Sequence, residues 1–466
     1  MKLRFFGATR SVSGSCHVVE TLSRRWLLDC GLFQGLSPDM YERNALLPVP
    51  ASSIDAVFLS HAHVDHSGNL PRLVSQGFTG PIYATPATID LCSILLADSA
   101  YVLRSQTTML NQKRERRGLA PLPQLYGEDD VAQTLRQMRP VTWNEPFAPC
   151  AEIEVVFQPA GHILGASIIT LRERGDLPVT LAFSGDLGRR GDWLLAAPAV
   201  PSGAQHVILE STYGDRNHRP YAYARSELCK SISSTVQAGG RIVIPAFSVG
   251  RTQRMLYELR ALMASGDVPD IPVFVDSPLS VKASEHFIRH AGTCALAVPV
   301  VGTPAWMNCT YITDGAESRA LLDKPEPYIV ITAAGMCEAG RVLRHLARNL
   351  PDPASRVLFV GFCAADTLGR MLQDGQKQVR IAGETVHVRA AIDYFDTFSS
   401  HADQSGLRQW LAEQPGVRSA FLVHGEQEQS FSLAEQIENA GSVEVVVPFS
   451  GEEFILAPDT IEECAG

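Results

Sequence analysis

Residues 60–66, with the sequence SHAHVDH, follow directly on the apolar run IDAVFL at residues 54–59. Three histidines and one aspartate therefore fall within six consecutive positions. The apolar run predicts a buried strand, and Gly68 and Pro71 mark a loop that turns into a helix. We expect these four side chains to lie on a loop at a strand end, where they can converge.

The spacing of the histidines predicts a metal centre. In an extended segment alternate residues face the same side, so His61 and His63 can reach one point while Asp65 and His66 reach a neighbouring one. Neutral imidazole and carboxylate groups are zinc ligands, and two such groups suit two ions. The alternative is a polar loop that merely contains histidines. A single HxH would favour that alternative, but the full HxHxDH after a strand favours metal.

Composition sets the class of protein. The chain has 466 residues, of which 45% are hydrophobic and 19% charged, as in globular proteins of two or three domains. We see no apolar run near 18 residues and no secretory leader, so we expect no membrane partner. Ten scattered cysteines without a CxxC indicate reduced thiols and a cytoplasmic location. The net charge of −10 argues against broad electrostatic binding of nucleic acid but allows a local basic groove.

Three further ligand candidates, His162, Asp186 and His424, each follow a short apolar run. A carboxylate has two oxygens, so Asp186 is the natural ligand to share between two ions. The predicted ligands are His61, His63 and His162 for one ion and Asp65, His66 and His424 for the other, with Asp186 shared.

Some polar residues leave two interpretations open. Asp29 ends a strand before a glycine and is either a turn residue or a carboxylate that orients a ligand histidine. His401 lies in a loop and is not needed as a ligand, so it is a candidate proton donor. The basic run at residues 113–117 is either a solvated helix face or a patch that contacts phosphate.

The part of the chain at residues 215–380 repeats strand-then-helix units. This alternation predicts a mostly parallel sheet with flanking helices. Glycines near helix N-termini there can favour phosphate or serve packing alone, and GxxxxGKS is absent, so no P-loop is expected. The segment from 381 onward reads as antiparallel strands, for example over residues 386–392.

Taken together, the order of these residues resembles the metallo-β-lactamase superfamily. Asp29, the HAHVDH stretch, His162 and Asp186 resemble its first four motifs. The acid Glu210 at a strand end, His401 in SSHAD and His424 in VHGE resemble motifs A, B and C of the β-CASP branch. That branch includes the pre-mRNA 3′-end-processing endonuclease and its compact bacterial and archaeal relatives.

The resemblance implies an α/β fold, an αββα metallo-β-lactamase sandwich with an inserted parallel α/β β-CASP cap. Residues 1–212 and 381–466 would form the sandwich, and residues 213–380 the cap. It also implies two zinc ions and internal hydrolysis of single-stranded RNA to a 5′ phosphate and a 3′ hydroxyl, with exonuclease cleavage from a 5′ end left open as a second mode. A second copy of the chain is an open expectation as a partner.

The resemblance also assigns roles. His401 would protonate the leaving 3′ oxygen and Glu210 would hold its ring, with Asp65 and Asp29 completing the catalytic set. The predicted RNA-binding residues are Arg251, Gly335, Arg341 and Ser399. Relatives usually carry Ser-Gly-Met and two following glycines at the cap turn, whereas this chain has alanine at 334 and 339, which bears on substrate preference.

Two other functions compete with this one. The first is a hydrolase of small esters, thioesters or phosphodiesters on the same metal core, for which a cap and a distal histidine would be superfluous. The second is a non-catalytic partner in RNA processing, such as relatives that have lost metal ligands. Every predicted ligand is present in this chain.

Overall fold

The computed structural model describes residues 1–35, 39–175, 177–192, 194–291, 309–363, 367–441 and 443–464. The chain forms two compact units. The first unit comprises Met1–Asn217 and His401–Gly466, and the second comprises His218–Ser400.

One sheet of the first unit has eight strands. They are β1 (Lys2–Gly7), β2 (Cys16–Thr21), β3 (Arg24–Leu28), β4 (Ala56–Phe58), β5 (Ile82–Ala84), β6 (Met138–Pro140), β22 (Glu453–Leu456) and β23 (Ile461–Glu463). Their order across the sheet is β23-β22-β1-β2-β3-β4-β5-β6. Strand β1 alternates half-exposed and buried side chains, so one face of the sheet points into a core.

The other sheet of the first unit has seven strands. They are β7 (Phe147–Cys150), β8 (Ile153–Pro159), β9 (Ser167–Glu173), β10 (Thr180–Phe183), β11 (His206–Glu210), β20 (Ser419–Val423) and β21 (Glu444–Val446). Their order is β21-β20-β11-β10-β9-β8-β7. Strands β10, β11 and β20 are parallel neighbours and are buried along their whole length, as strands covered on both faces are.

The two sheets pack face to face around one core. Phe5 and Phe58 from the first sheet lie in the same buried cluster as Phe157, Phe183 and Phe421 from the second. Each such ring contributes about 1.5–3 kcal/mol when it is withdrawn from water. This packing forms the predicted sandwich and brings the strand ends of both sheets to one rim.

Helices complete the first unit. They are α1 (Met40–Ala45), α2 (Val64–Ser67), α3 (Leu70–Ser75), α4 (Pro86–Glu115), α5 (Glu128–Gln137), α12 (Gln404–Ala412) and α13 (Gln427–Glu438), with a 3₁₀ turn at Ala51–Ser53. Helix α4 is long and apolar enough to cross a membrane by length and composition alone, whereas no apolar run of that length was expected from the sequence. One such helix is weak support for a span, because core helices pass the same test. Leu91, Leu95 and Leu96 of this helix are buried in the first unit.

The second unit contains a six-stranded, fully parallel sheet. Its strands are β12 (Ile242–Pro245), β13 (Val273–Val275), β14 (Thr310–Tyr311), β15 (Ile329–Thr332), β16 (Arg356–Phe359) and β19 (Ala391–Tyr394), in the order β14-β13-β15-β12-β16-β19. Its helices are α6 (Tyr221–Gln237), α7 (Arg251–Ala264), α8 (Pro278–His290), α9 (Gly315–Leu322), α10 (Val342–Asn349) and α11 (Leu368–Gln373), with a 3₁₀ turn at Asp396–Phe398. The predicted parallel α/β insert is therefore confirmed.

The predicted strand at 386–392 is wrong. The structure has a separate antiparallel hairpin of β17 (Gln378–Ile381) and β18 (Glu384–His387), after which β19 pairs in parallel with β16. This pairing keeps the chain in the second unit as far as Ser400. The compact units thus divide at 217 and 400, whereas the domain boundaries expected from the sequence lie at 212 and 380 and stay predictions.

Candidate metal centre

The candidate ligands lie where strands of the first unit end. His61 and His63 follow β4, His162 follows β8, Asp186 follows β10 and His424 follows β20. Because β10, β11 and β20 run parallel, their carboxyl ends reach the same rim of the sheet. Glu210 is the last residue of β11 at that rim.

One group of donor atoms has the shape of a tetrahedral site. His63 Nδ1 lies 3.1 Å from His61 Nε2 and 3.2 Å from His162 Nε2. Asp186 Oδ2 lies 3.4 Å from each of these two Nε2 atoms. A zinc ion about 2.0–2.1 Å from four tetrahedral ligands separates them by about 3.3–3.4 Å. A single ring nitrogen cannot satisfy two imidazoles with one hydrogen or one lone pair, so the convergence on His63 fits a shared cation.

A second group of donors lies beside the first. The donor atoms of Asp65, His66 and His424 all lie within 4.8 Å of one another. Asp186 joins this group too, because its Oδ1 lies 3.3 Å from His66 Nε2. Asp186 Oδ1, His66 Nε2 and His424 Nε2 are buried and have no hydrogen-bond partner among the described residues. Orphaned buried polar atoms that face one another are costly unless a cation lies between them.

The protonation states of the candidate ligand histidines are also compatible with metal binding. Burial lowers the pKa of His63 to about 4 and holds the pKa of His61 and of His162 well below the ordinary value. These imidazoles are therefore neutral at pH 7, as ligands must be. Burial opposes the charge of His66 as well, but Asp186 and Asp29 outweigh it and hold the pKa of His66 well above the ordinary value. A metal ion bound there would displace that proton.

Polar partners fix which nitrogen of each histidine faces inward. Asp29 Oδ2 lies 2.6 Å from His66 Nδ1, and Asp29 Oδ1 accepts the Ser60 N–H at 2.8 Å. The Ser60 hydroxyl donates to Asp29 Oδ2 and lies 3.1 Å from His61 Nδ1. Since its one hydrogen is used, the hydroxyl oxygen accepts from His61 Nδ1–H and leaves Nε2 for a metal. Asp29 thus occupies the position expected of an orienting carboxylate.

Thr212 does the same for His424. Its hydroxyl donates to the His424 carbonyl at 2.9 Å and lies 3.0 Å from His424 Nδ1. The hydroxyl oxygen therefore accepts from Nδ1–H, and Nε2 is directed to the donor group. The roles of the Ser60 and Thr212 hydroxyls were not predicted from the sequence. The local feature that could have indicated them is a Ser or Thr close to a strand-end acid or histidine.

We predict that Thr212→Val weakens metal binding by about 10- to 100-fold, as loss of a partner that orients a ligand histidine typically does. Valine has the shape of threonine without the hydroxyl, so His424 Nδ1–H loses its acceptor. Titration of the metal-free chain with zinc measures the change. Thr212→Ser keeps the hydroxyl and is expected to bind like the parent; equal weakening in both variants would contradict the orienting role.

His401 and Glu210 form a pair at the edge of the donor groups. His401 Nδ1 lies 3.1 Å and 3.0 Å from the two carboxylate oxygens of Glu210, which is fully buried. Glu210 Oε1 also accepts the Leu187 N–H. His401 Nε2 lies 4.0 Å from Asp186 Oδ2, farther than the nitrogens of the tetrahedral group. His401, Glu210, His424 and Asp186 make a third possible donor group by distance.

Family models match three parts of the chain. Residues 10–89 match the metallo-β-lactamase superfamily, residues 252–372 match the Beta-Casp domain, and residues 385–448 match a Zn-dependent metallo-hydrolase RNA specificity domain. Ribonuclease TTHA0252 of Thermus thermophilus is 35% identical over 441 residues, which are 93% of this chain and 95% of that protein.

The chain belongs to the β-CASP branch of the metallo-β-lactamase superfamily.

Other relatives are similar over nearly the whole chain. An RNase J-like protein of Methanocaldococcus jannaschii is 29% identical over 96% of this chain and 98% of that protein. A transcription termination factor FttA of Methanosarcina mazei is 29% identical over 94% of this chain and 69% of that protein. A crystal structure of a protein of unknown function from Enterococcus faecalis has a TM-score of 0.52 at 14% identity, covers 98% of this chain and 99% of its own, and shows the fold alone.

The four predicted RNA-binding residues of this β-CASP protein lie in the second unit. Arg251 lies over the Phe247 ring, with its guanidinium carbon 4.9 Å from the centroid, and a Cβ on Gly335 would lie 3.2 Å from the same ring. The structure thus brings Arg251 and Gly335 to one place. Ser399 is buried after the 3₁₀ turn. Their contacts with RNA stay predictions.

Arg341 belongs to a different network. It pairs with the buried Asp276 at 2.6 Å and donates to the Ile312 carbonyl at 3.0 Å. Asp276 also lies 2.7 Å from His345 Nε2 and accepts the Ser318 hydroxyl at 2.6 Å. These contacts give Arg341 a structural role at the end of β13, and its predicted contact with phosphate stays a prediction.

We predict that Asp276→Asn destabilises the chain by about 3–5 kcal/mol, because it leaves Arg341 without its buried counter-charge. Denaturant unfolding followed by circular dichroism measures the loss. The matched control is Asp374→Asn, which breaks the exposed pair with Arg370 and is expected to cost about 1 kcal/mol or less. Equal midpoints for the two variants would contradict the structural role of Asp276.

Proposed function

We propose that this chain is a zinc-dependent ribonuclease that hydrolyses phosphodiester bonds of single-stranded RNA. Cleavage leaves a 5′ phosphate and a 3′ hydroxyl, and the sizes of end-labelled products distinguish internal cleavage from cleavage at a 5′ end. The observation that carries the proposal is the pair of donor groups that share Asp186, with His401 and Glu210 at their edge. The names of the relatives, a ribonuclease and an RNase J-like protein, support RNA as the substrate.

Two zinc ions suit the donors. Three imidazoles and one carboxylate oxygen in a tetrahedral arrangement are typical zinc ligands. The second group adds two imidazoles and the Asp65 carboxylate, together with the other oxygen of Asp186. His61, His63 and His162 would hold one ion and Asp65, His66 and His424 the other, with Asp186 between them. Bound zinc would lower the pKa of a coordinated water molecule and would neutralise charge on the phosphate.

The chain's own residues handle the proton. With Nδ1 against both oxygens of Glu210, His401 presents Nε2 toward the donor groups. A proton on Nε2 passes to the 3′ oxygen as its bond to phosphorus breaks. Glu210 keeps the ring in place and stabilises its charged form, as a buried carboxylate does for a catalytic histidine.

Labelled RNA tests the proposal. A single-stranded RNA labelled at the 5′ end, and the same RNA labelled at the 3′ end, are incubated with the zinc-loaded chain, with and without a chelator. We expect fragments with 5′ phosphates that disappear on chelation. A zinc-loaded chain that leaves RNA intact but hydrolyses a small phosphodiester would overturn the proposal in favour of a small-molecule hydrolase.

Location and assembly are further proposals. We propose a cytoplasmic protein, which is supported by the free thiols of all nine cysteines within the described residues. A homodimer is proposed as well, and light scattering of the purified chain tests it.

A further inference from the structure

One exposed patch of the first unit is not explained by metal chemistry. Phe431 and Phe449 are 45% and 53% exposed, and among the described residues they are the two exposed phenylalanines. The Arg10 guanidinium carbon lies 3.3 Å from the ring centroid of Phe449 and 5.1 Å from that of Phe431. One cation therefore joins both rings into a single patch, which we call the Arg10 platform.

The turn that carries Phe449 is held in place by the end of β1. Gly451 N–H donates to the Phe5 carbonyl at 2.7 Å, and the Ser450 hydroxyl donates to the Phe6 carbonyl at 2.6 Å. An exposed ring on a hydrogen-bonded turn loses little conformational entropy when a ligand covers it. The Phe449 side of the platform is therefore preorganised for binding a ligand.

The platform is connected through the backbone to the second donor group. The Ala8 carbonyl accepts the His424 N–H at 2.7 Å, and Arg10 follows two residues later, at most about 7.6 Å along the Cα trace. Phe431 lies in the second turn of α13, which begins three residues after His424. Both sides of the platform thus start from the backbone around one candidate metal ligand.

The chemistry of the patch selects a base over a phosphate. Arg10 already donates to the Val447 carbonyl at 2.7 Å and stacks on Phe449. Glu444, Glu452 and Glu463 line a cavity of about 290 Å³ beside it and would repel a phosphate. Beside these acids, Phe431 and Phe449 offer a ligand exposed aromatic surface. Unpaired bases of single-stranded RNA stack on such surfaces whatever their sequence.

We propose that the Arg10 platform stacks an unpaired nucleobase of the RNA strand whose scissile phosphate lies at the metal centre. This inference rests on the proposed ribonuclease function. Phe431 and Phe449 supply the stacking surface, and Arg10 fixes the Phe449 ring by a cation–π contact. The platform holds the strand a few nucleotides from the scissile bond and does not take part in the chemistry.

The test compares substrates of two lengths. The zinc-loaded full chain and its Phe431→Ala/Phe449→Ala variant are assayed with a single-stranded RNA dodecamer and with a dinucleotide too short to span both sites. We expect KM for the dodecamer to rise about tenfold in the variant, since stacking on one base carries an effect of that order. The loss falls on the dodecamer and not on the dinucleotide, and zinc content is unchanged.

A matched control is available on α4. Tyr101 is 63% exposed and lies 5.6 Å from the Arg104 guanidinium carbon, so Tyr101→Ala removes a similar aromatic–arginine contact. We expect its KM for the dodecamer to equal that of the parent. Phe431→Trp/Phe449→Trp keeps the stacking surface and is expected to retain the parental KM.

Two results would overturn the proposal. One is a dodecamer KM in the double alanine variant equal to that of the parent. The other is a parental dimer that becomes a monomer in the variant with unchanged RNA affinity, which would make the patch an interface between copies. A parent that does not cleave RNA at all contradicts the ribonuclease proposal itself, which separates the two failures.

Discussion

Alanine in place of Asp186 is expected to remove bound metal and hydrolytic activity together. The two oxygens of this carboxylate face different donor groups, with Oδ2 3.4 Å from His61 Nε2 and Oδ1 3.3 Å from His66 Nε2. Its loss therefore takes one ligand from each ion. We expect zinc affinity to fall by more than about 100-fold, because even the loss of a residue that only orients a ligand lowers metal affinity by up to that factor.

Metal analysis of the purified variant, together with an RNA cleavage assay, measures both effects. Asp459→Ala is the control, because Asp459 is 82% exposed and its contact with Arg418 is a surface pair. That variant should keep the metal and the activity. Full zinc occupancy in Asp186→Ala would contradict the shared-ligand assignment.

His401→Ala is expected to keep both metals and to lose about 10²- to 10⁴-fold in cleavage rate, the range for removal of a general acid. His401 Nε2 is 4.0 Å from Asp186, and Nδ1 is already used by Glu210. The metals should therefore stay while the proton for the leaving oxygen is lost. Zinc analysis and single-turnover cleavage measure the two quantities separately.

A substrate with sulfur at the bridging 3′ position sharpens this test. A thiolate leaves without a proton, so His401→Ala should cleave this linkage nearly as fast as the parent does. Loss of zinc in His401→Ala would instead favour the donor group that includes Glu210 and His424. A slow reaction on the sulfur substrate with zinc in place would contradict the proton-donor role.

The candidate ligands could be predicted because each follows a strand. The spacing of the histidines in HAHVDH predicts a metal site, and His162, Asp186 and His424 lie where short apolar runs end. Strand ends gather at one rim of a sheet, so local sequence carries information about distant contacts. The inserted parallel sheet followed from the alternation of strands and helices, whereas the sandwich followed from the family resemblance.

The orienting hydroxyls could not be predicted in this way. Whether Thr212 accepts from His424 depends on a contact between residues 212 positions apart and on which ring nitrogen carries the proton. Ser60 is next to His61, but its hydroxyl accepts from His61 only because it donates its hydrogen to Asp29, 31 residues away. Serine and threonine are so common beside strand ends that their type alone does not distinguish these two.

In the second unit, the local sequence did not reveal which distant segments pair with each other. Residues 386–392 are rich in β-branched residues, which fits a strand but does not say which partner it pairs with or where it breaks. Arg341 looked available for phosphate because a sequence does not show that Asp276, 65 residues away, is its partner. Long-range partners of charged residues are set by the folded chain and leave no local pattern.

The hydrogen bond from His424 to the Ala8 carbonyl has a consequence for folding. It joins the connection after β1 to the loop after β20, two segments far apart in the sequence, and His424 itself has a left-handed backbone, with φ of 50°, that depends on such surroundings. A contact of such large sequence separation forms only after much of the chain between its ends is ordered. We therefore expect the second donor group to be completed late in folding.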